Sequence, residues 1–298
     1  MSLQSQRIDN LIEFLDKMEF SLNQAEQDQA KRAEVVDSLR LEVIEVLKIA
    51  FLEGDRTVRR SAIYGLSKIG LDKSVDFFID ALNDPDEHVR GWAADALGRI
   101  QEPRSIVPLI RALADENHYV CFNVATAIKH FPADQIIPSL LRSLQDQDCL
   151  IRRRVCKLLG DLNDTRVTET LISFLKDEDP FVRYEAAEAL RKLRNPGAIL
   201  PLISALNDPS PDVQSVAVMA LGSFGDERAV EPLIGMLIEQ KSHRHACIDA
   251  LRNICGEENL DPLYDLIRAS RHLIADASMV ILEKIYAKNL NLTDQNHG

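Results

Sequence analysis

The amino-acid sequence predicts an all-α fold, namely an α-solenoid of about eight stacked helical hairpins behind an N-terminal helical cap. The main observation is a period of 31 residues, with which an apolar pattern recurs along most of the chain. Within each period the apolar residues are spaced as on one side of an α-helix. The composition agrees, because 12 Gly and 12 Pro among 298 residues are too few for a loop-rich β fold.

The second helix of each repeat is marked by four apolar columns. Counted from its first apolar residue as offset 0, the apolar positions are offsets 0, +4, +8 and +11, which lie on one side of a helix. Offset 0 is occupied in successive repeats by Val58, Val89, Val120, Ile151, Val182 and Val213. Six copies follow one another without insertion or deletion. Such a stripe is not buried within one hairpin, and stacking the repeats buries it.

A first helix precedes each of these, as in residues 103–113. Its apolar columns keep the same step, for example in Phe78, Leu109, Leu140, Leu171, Leu202 and Leu233. Between the two helices stands an acidic residue, which is Asp84, Asp115, Asp146, Asp177 or Asp208. Aspartate suits a short turn and accepts hydrogen bonds from the start of a helix. We therefore expect it to cap the second helix.

The repeat boundaries predict one elongated domain with three segments. These are an N-terminal helical cap over residues 1–53, a repeat solenoid over 54–288 and a flexible tail over 289–298. The cap is expected to contain helices at about 6–20 and 30–52. Two looser hairpins are expected after the regular repeats, at about 227–255 and 258–288.

Charge and composition limit the partners. Lys and Arg number 35 against 47 Asp and Glu, so the formal net charge is −12, and we do not expect nucleic acid as a partner. The start of the chain lacks an apolar signal segment, and no apolar run reaches the roughly 18 residues of a membrane span. Five cysteines form no disulfide framework of the extracellular kind. We therefore expect a cytoplasmic protein.

The repeat signature is an Asp, then Val-Arg, then Ala-x-x-x-Leu, as in residues 84–97. It resembles HEAT repeats, and within them the short variety named for phycobilisome lyases. The likeness is strong over residues 54–225 and weaker over 226–285. Similar repeats occur in bilin lyase subunits, iron hydroxylases and adaptors. The resemblance implies a protein partner, with a phycobiliprotein or a second HEAT-repeat subunit as candidates and a phycobilin as a candidate transient cofactor.

The sequence offers little support for an enzyme acting alone. The similar deoxyhypusine hydroxylase holds iron through His-Glu pairs, and the corresponding positions here carry other residues, such as Trp92-Ala93 and Tyr184-Glu185. The seven histidines share no regular spacing, so we predict no metal site. Phosphate-binding, GxSxG and CxxC motifs do not occur in the sequence. No catalytic residue is predicted.

The other columns of the second helix are predicted to line a concave groove. Offsets +2, +3, +6, +9 and +10 point away from the core. The candidate partner-binding residues among them are Tyr64, Trp92, Phe122, Asn123, Lys129, Arg153, Arg154, Lys157, Tyr184 and Arg191. Aromatic residues and arginine are enriched in the cores of interfaces. We therefore predict a non-enzymatic scaffold that binds a protein partner through this groove.

Two alternatives stay open at this point, and one further column is expected to have a structural role. The aromatic residues can instead pack against neighbouring helices, with Arg153 and Arg154 merely solvated. The family resemblance implies a phycobilin lyase-like subunit, in which Arg153, Arg154 and Lys157 would meet bilin propionates beside Trp92 and Phe122. An arginine column at offset +1 is expected to bind the turn aspartates of neighbouring repeats rather than a partner. That column consists of Arg59, Arg90, Cys121, Arg152, Arg183 and Gln214.

Overall fold

The computed structural model describes residue 10 and residues 29–69, 74–239 and 243–256. Within these ranges the chain forms fourteen α-helices and no strand, which confirms the all-α prediction. The chain divides into two compact units, residues 1–143 and 144–298. The helix expected at about 6–20, the hairpin at 258–288 and the tail lie outside the described residues. The division into cap, solenoid and tail stays a prediction.

The first unit contains seven of these helices. They are α1 (Gln29–Glu53), α2 (Arg56–Ile69), α3 (Val75–Ala81), α4 (Glu87–Ile100), α5 (Ile106–Ala112), α6 (His118–His130) and α7 (Ala133–Ser143). The helices α2, α4 and α6 are the second helices of the predicted repeats, and they pack side by side. The first helix α3 packs on α4, and α5 packs on α6.

The second unit repeats this arrangement. Its helices are α8 (Cys149–Leu162), α9 (Thr168–Phe174), α10 (Pro180–Leu193), α11 (Ile199–Ala205), α12 (Pro211–Phe224), α13 (Val230–Glu239) and α14 (Arg244–Cys255). Here α8, α10, α12 and α14 are the second helices, each packed on the next. A 3-10 turn precedes each of the first helices α9, α11 and α13.

The predicted apolar columns form the core of each unit. Every residue at offset 0 is buried, from Val58 to Val213. The first-helix column is buried too, with Phe78 and Leu109 fully inaccessible in the first unit and Leu171 and Leu202 in the second. Burying such side chains stabilises a fold by about 1.5–3 kcal/mol each. None of the described helices is both long and apolar enough to cross a membrane.

The arginine column binds the turn aspartates as predicted. The pairs are Arg59 with Asp84, Arg90 with Asp115, Arg152 with Asp177 and Arg183 with Asp208. In the last pair, Nε and Nη2 of Arg183 donate to both carboxylate oxygens of Asp208 at 2.7 and 2.9 Å. The remaining Nη1 donates to the carbonyl of Asp177 at 2.9 Å. Each arginine thus ties the turn of its own repeat to the next turn, and we call this set of pairs the arginine ladder.

The turn aspartates do not cap the second helices, so that expectation is wrong. The carboxylate of Asp84 accepts from the N–H of Asp86, which precedes the helix. Asp86 is the actual cap of α4 and accepts from the N–H groups of His88 and Val89. The cap therefore lies two residues after the predicted position, because the earlier carboxylate is taken up by the turn and the ladder. Asn117, Asp148 and Asp179 cap α6, α8 and α10 in the same way.

Candidate functional site

The face of the second helices that points away from the core carries the predicted site residues. In the first unit these are Tyr64 on α2, Trp92 on α4, and Phe122, Asn123 and Lys129 on α6. In the second unit they are Arg153, Arg154 and Lys157 on α8, and Tyr184 and Arg191 on α10. The predicted residues thus fall into two sets, one on each unit, and each set is described by itself.

Aromatic rings form a continuous row on the first unit. The ring centroids of Tyr64 and Trp92 lie 5.7 Å apart, and those of Trp92 and His88 lie 5.9 Å apart. The row continues from His88 to Tyr119 on α6, at 5.6 Å. At the other end Nζ of Lys68 lies 5.5 Å from the centroid of the Tyr64 ring. We call Tyr64, Trp92, His88 and Tyr119 the aromatic row.

The side chains of this face differ in exposure. Phe122 is 71% exposed, whereas Trp92 is half-buried because Tyr64 and His88 flank its ring. Lys129 is exposed. The amide of Asn123 donates to the carbonyl of Tyr119 within its own helix at 2.8 Å, so this hydrogen bond satisfies part of its polar side chain. Phe122 is therefore the large apolar side chain that this face presents most openly.

Sequence reasoning missed His88 and Tyr119, which stand at offset −1. With about 100° per residue, offset −1 lies between offsets +6 and +10 around the helix, and so belongs to the same face. A second feature of the sequence, the glycine at offset +2 of α4, also indicates that a neighbouring side chain lies against this face. A Cβ atom added to Gly91 would lie 2.5 Å from Cε1 of Tyr119, so the tyrosine ring occupies the space that the glycine leaves.

The carboxylates beside His88 serve the helix start rather than a metal. Asp86, Glu87 and His88 offer three ligand atoms within 4.8 Å of one another. Asp86, however, is bound by the guanidinium groups of Arg56 and Arg60. Burial opposes the charge on Asp86, but hydrogen bonds from both arginines and from backbone N–H groups outweigh it and hold its pKa far below the usual range. The carboxylate is thus committed to protein donors.

On the second unit, cations cluster on α8. The guanidinium carbon of Arg153 lies 5.1 Å from the centroid of the Phe181 ring on α10, and Nε of Arg153 lies 3.6 Å from a carboxylate oxygen of Glu185. Lys157 is exposed and Arg154 is half-buried. Glu185 is buried, and this burial raises its pKa, although Lys157 and Arg153 act in the opposite direction.

Other charges on this face are balanced locally. The carboxylate of Glu188 binds Arg191 through two hydrogen bonds of 2.6 and 2.7 Å. Tyr184, one turn earlier on α10, is half-buried. Lys192 donates to Asp161 on α8 at 2.6 Å. The predicted site residue Arg191 is therefore part of a local ion pair, while Arg153 and Lys157 lie near the carboxylate of Glu185.

Offset +9 does not belong to the exposed face in most repeats, which corrects the predicted column. Ser67, Gly98, Gly160 and Gly222 are all buried. A Cβ atom added to Gly98 would lie 2.6 Å from Cα of Ala127 on α6, and one added to Gly160 equally close to Cα of Ala189 on α10. The glycines allow adjacent second helices to approach closely. Only where a long side chain stands at this offset, as at Lys129 and Arg191, is it at least partly exposed.

The described cysteines have no features of activated thiols. All five are free. Sγ of Cys121 donates to backbone carbonyls of Asp115 and Asn117. Burial raises the pKa of Cys247 and of Cys255 to about 11, and that of Cys156 further. A raised pKa leaves little thiolate at neutral pH, which disfavours nucleophilic chemistry.

Comparison with known proteins agrees with the helical repeats of the fold. HEAT repeats are recognised over residues 44–129, 137–208 and 199–280, which together make up most of the chain. The chain therefore belongs to the HEAT-repeat family. The narrower assignment to the phycobilisome-lyase type is not confirmed. No curated protein matches the chain.

Solved structures with the same fold include importin beta. It shares 15% sequence identity with this chain at a TM-score of 0.53, over 94% of this chain and 48% of importin beta. This likeness confirms the α-solenoid fold class. The complex of CpcE and CpcF of phycocyanin lyase from a Nostoc species is 21% identical, with a TM-score of 0.35 over 81% of this chain and 94% of that one. Human deoxyhypusine hydroxylase is 18% identical, with a TM-score of 0.36 over 85% of this chain and 97% of the hydroxylase.

Proposed function

We propose that this protein is a non-enzymatic scaffold that binds a partner protein through the exposed face of its second helices. The observation that carries this proposal is the aromatic row of the first unit together with the open side chain of Phe122. Aromatic side chains supply large contact area at low cost in conformational entropy, and they dominate the binding energy of many interfaces.

The architecture of the first unit suits such a role. The arginine ladder and the contact between Gly98 and Ala127 hold α2, α4 and α6 against one another. Side chains on these helices are therefore arranged before a partner arrives, which reduces the ordering cost of binding. Within the described part of the chain, the acidic cluster at Asp86 and the buried thiols have structural surroundings, which also supports binding rather than catalysis.

Affinity capture with matched variants tests the proposal. The wild-type chain is used to isolate partners from its native lysate, the captured protein is identified by mass spectrometry, and its dissociation constant is then measured. Replacing Phe122 by Ser should weaken that binding by about tenfold or more, as expected for loss of an aromatic anchor. The control is Val107→Ser, which removes an exposed apolar side chain from the first helix α5.

Two results would count against the scaffold. One is that Phe122→Ser binds the partner as tightly as the wild type. The other is that Val107→Ser weakens binding equally, because the exposed face of the second helices would then have no special part. Circular dichroism of both variants shows that a loss of binding is not a loss of fold.

A phycobilin lyase-like function is the alternative that the family resemblance implies. Its test is independent of the partner capture. Purified protein is mixed with phycocyanobilin, alone and with a phycobiliprotein, and the absorption spectrum is recorded. A red-shifted and stronger absorption band is expected if the chain handles the bilin, and an unchanged spectrum in both mixtures removes this alternative.

A further inference from the structure

Three basic residues lie close together on one helix of the second unit. Arg153, Arg154 and Lys157 stand at offsets +2, +3 and +6 of α8, which fall within about 100° around the helix axis. Lys157 is exposed, and the side chain of Arg153 is 41% exposed. In a chain with a formal net charge of −12, such a surface has a local charge opposite to that of the whole.

An exposed aromatic ring borders these cations. Phe181 at the start of α10 is 55% exposed, and the guanidinium of Arg153 lies over its ring. A cation placed over a phenylalanine ring is attracted by the electrons of the ring face, which helps to hold Arg153 in place. The surface therefore offers a positioned cation and an apolar contact side by side.

Three acidic residues on α8 and α10 near these cations are either bound to other cations or buried. Glu188 and Asp161 are each bound to a cation of their own, Arg191 and Lys192. Glu185 lies near Arg153 and Lys157, and it is buried below the surface. A ligand that approaches this face meets the cations first.

We propose that this surface, formed by Arg153, Arg154, Lys157 and Phe181, binds an acidic peptide segment that contains an apolar side chain. Carboxylates of the peptide would pair with the cations, and its apolar side chain would contact Phe181. Guanidinium groups bind carboxylates through two parallel hydrogen bonds, which favours this ligand. The surface lies on the second helices of the second unit, so this inference rests on the proposed scaffold function and specifies a ligand for a surface whose chemistry differs from that of the aromatic row.

The surroundings favour a peptide over a nucleic acid. Binding of a nucleic acid is driven by neutralising many phosphates along its backbone. Here the basic residues of the surface lie on α8 alone, and on α10 the cation Arg191 is bound to Glu188, so the positive charge does not continue along a length that a phosphate chain would need. A peptide with two or three carboxylates matches the small cationic area and leaves the neighbouring carboxylates out of contact.

Fluorescence anisotropy with a synthetic probe tests this inference. The probe is a fluorescein-labelled peptide of Glu residues around a central Leu, and the same peptide with Gln in place of Glu is the reference. The full chain should bind the Glu peptide more tightly than the Gln peptide, and this preference should shrink as salt is added because the pairs are partly exposed.

Two variants with opposite expected effects sharpen the test. Lys157→Glu should weaken binding of the Glu peptide by about tenfold or more, because it reverses a charge at the surface. Glu185→Gln should tighten binding several-fold, because it removes the buried negative charge beneath the cations while keeping the shape of the side chain. A merely structural role of Glu185 does not produce tighter binding. The matched control is Lys176→Glu, an exposed lysine in the turn after α9, which should leave binding unchanged.

Several outcomes would overturn the proposal. These are equal binding of the Glu and Gln peptides, equal effects of Lys157→Glu and Lys176→Glu, or a Glu185→Gln variant that binds no tighter. If a single-stranded oligonucleotide binds more tightly than the Glu peptide, the ligand of this surface is a nucleic acid and not a peptide. Phe122→Ser should leave peptide binding intact, so failure of this inference and failure of the scaffold proposal are distinguishable.

Discussion

At the scale of single residues, small side chains decide how closely the second helices pack. Gly98, Gly160 and Gly222 each lie against an alanine of the next second helix in the same unit. The sequence showed these glycines as a column, but a glycine is compatible with both an exposed and a buried position. The partner alanine, two offsets earlier in the following repeat, distinguishes the two cases. The pairing of each glycine with this alanine depends on the distance between neighbouring helices, which the sequence does not give.

Replacing Gly98 by Ala should destabilise the protein even though alanine is the better helix former. The added Cβ would lie 2.6 Å from Cα of Ala127, so α4 and α6 must move apart. Overpacking of this kind costs about 1–3 kcal/mol. The control is Gly235→Ala in α13, where nothing lies within 4 Å of the added atom. There the helix preference should increase the free energy of unfolding by about 0.5–1 kcal/mol. Urea titrations of both variants measure these changes, and a Gly98→Ala protein as stable as Gly235→Ala would contradict the close contact.

At the scale of helices, the sequence predicted the elements better than their ends. The apolar columns place the second helices α2, α4, α6, α8, α10 and α12 correctly, because burial of the stripe is the dominant requirement. The caps were predicted two residues too early, because an aspartate in the turn is chemically as suitable for a helix cap as one two residues later. The turn and the ladder explain the difference, since Asp84 and Asp177 accept hydrogen bonds from the N–H groups of Asp86 and Asp179 and from Arg59 and Arg152.

The cap assignment predicts a difference between two helix starts of the second unit. Asp179 accepts hydrogen bonds from the N–H groups of Phe181 and Val182 at the start of α10. Asp179→Ala should therefore lower the free energy of unfolding by about 0.5–2 kcal/mol. Ser210 stands at the same place before α12 and makes no such bond, so Ser210→Ala should have a much smaller effect. Thermal unfolding followed by circular dichroism compares the two, and equal losses would refute the assignment.

At the scale of the whole molecule, the period predicts the fold class but does not mark the division between residues 143 and 144. The period runs through α6 without a break, yet α6 departs from the repeat in detail. It carries Cys121 where α2, α4, α8 and α10 have the ladder arginine, and Lys129 at the offset of the buried glycines. The end of α6 differs as well. The backbone of Phe131, directly after α6, is extended and Pro132 follows it, whereas the backbone of Gln101, directly after α4, is left-handed.

The candidate site was predictable in composition but not in arrangement. The sequence identified the exposed aromatic and basic side chains of the second helices. It gave no information on which cations are bound by carboxylates of the same face, as Arg191 is by Glu188. It also assigned no role to offset −1, where His88, Tyr119 and Phe181 complete the two surfaces. Such pairings depend on the rotation and spacing of neighbouring helices, which periodicity alone does not specify.

The repeated aspartates make the stability of the whole chain dependent on pH. Burial alone would raise the pKa of Asp177, but hydrogen bonds from Arg152 and from the N–H of Asp179 outweigh it and hold the pKa below its usual value. The pKa values of Asp86, Asp164 and Asp226 are lowered too. A carboxyl group with a lower pKa in the folded state contributes stability that is complete above the unfolded pKa of about 3.9 and is lost as the pH falls through the folded value.

Acidification below about pH 4 should therefore reduce the free energy of unfolding steeply.

Asp177→Asn should lower the free energy of unfolding by about 1–3 kcal/mol at pH 7, because the charge that binds Arg152 is removed. This difference from the wild type should shrink as the pH falls, since the wild-type Asp177 then becomes neutral as well. Glu116→Gln, at an exposed turn position, serves as the control for loss of one negative charge. Urea midpoints measured from pH 7 down to about pH 3 follow both variants across the range in which folded carboxylates are protonated. A difference between Asp177→Asn and the wild type that does not change with pH would mean that the Asp177 charge is not what links these repeats.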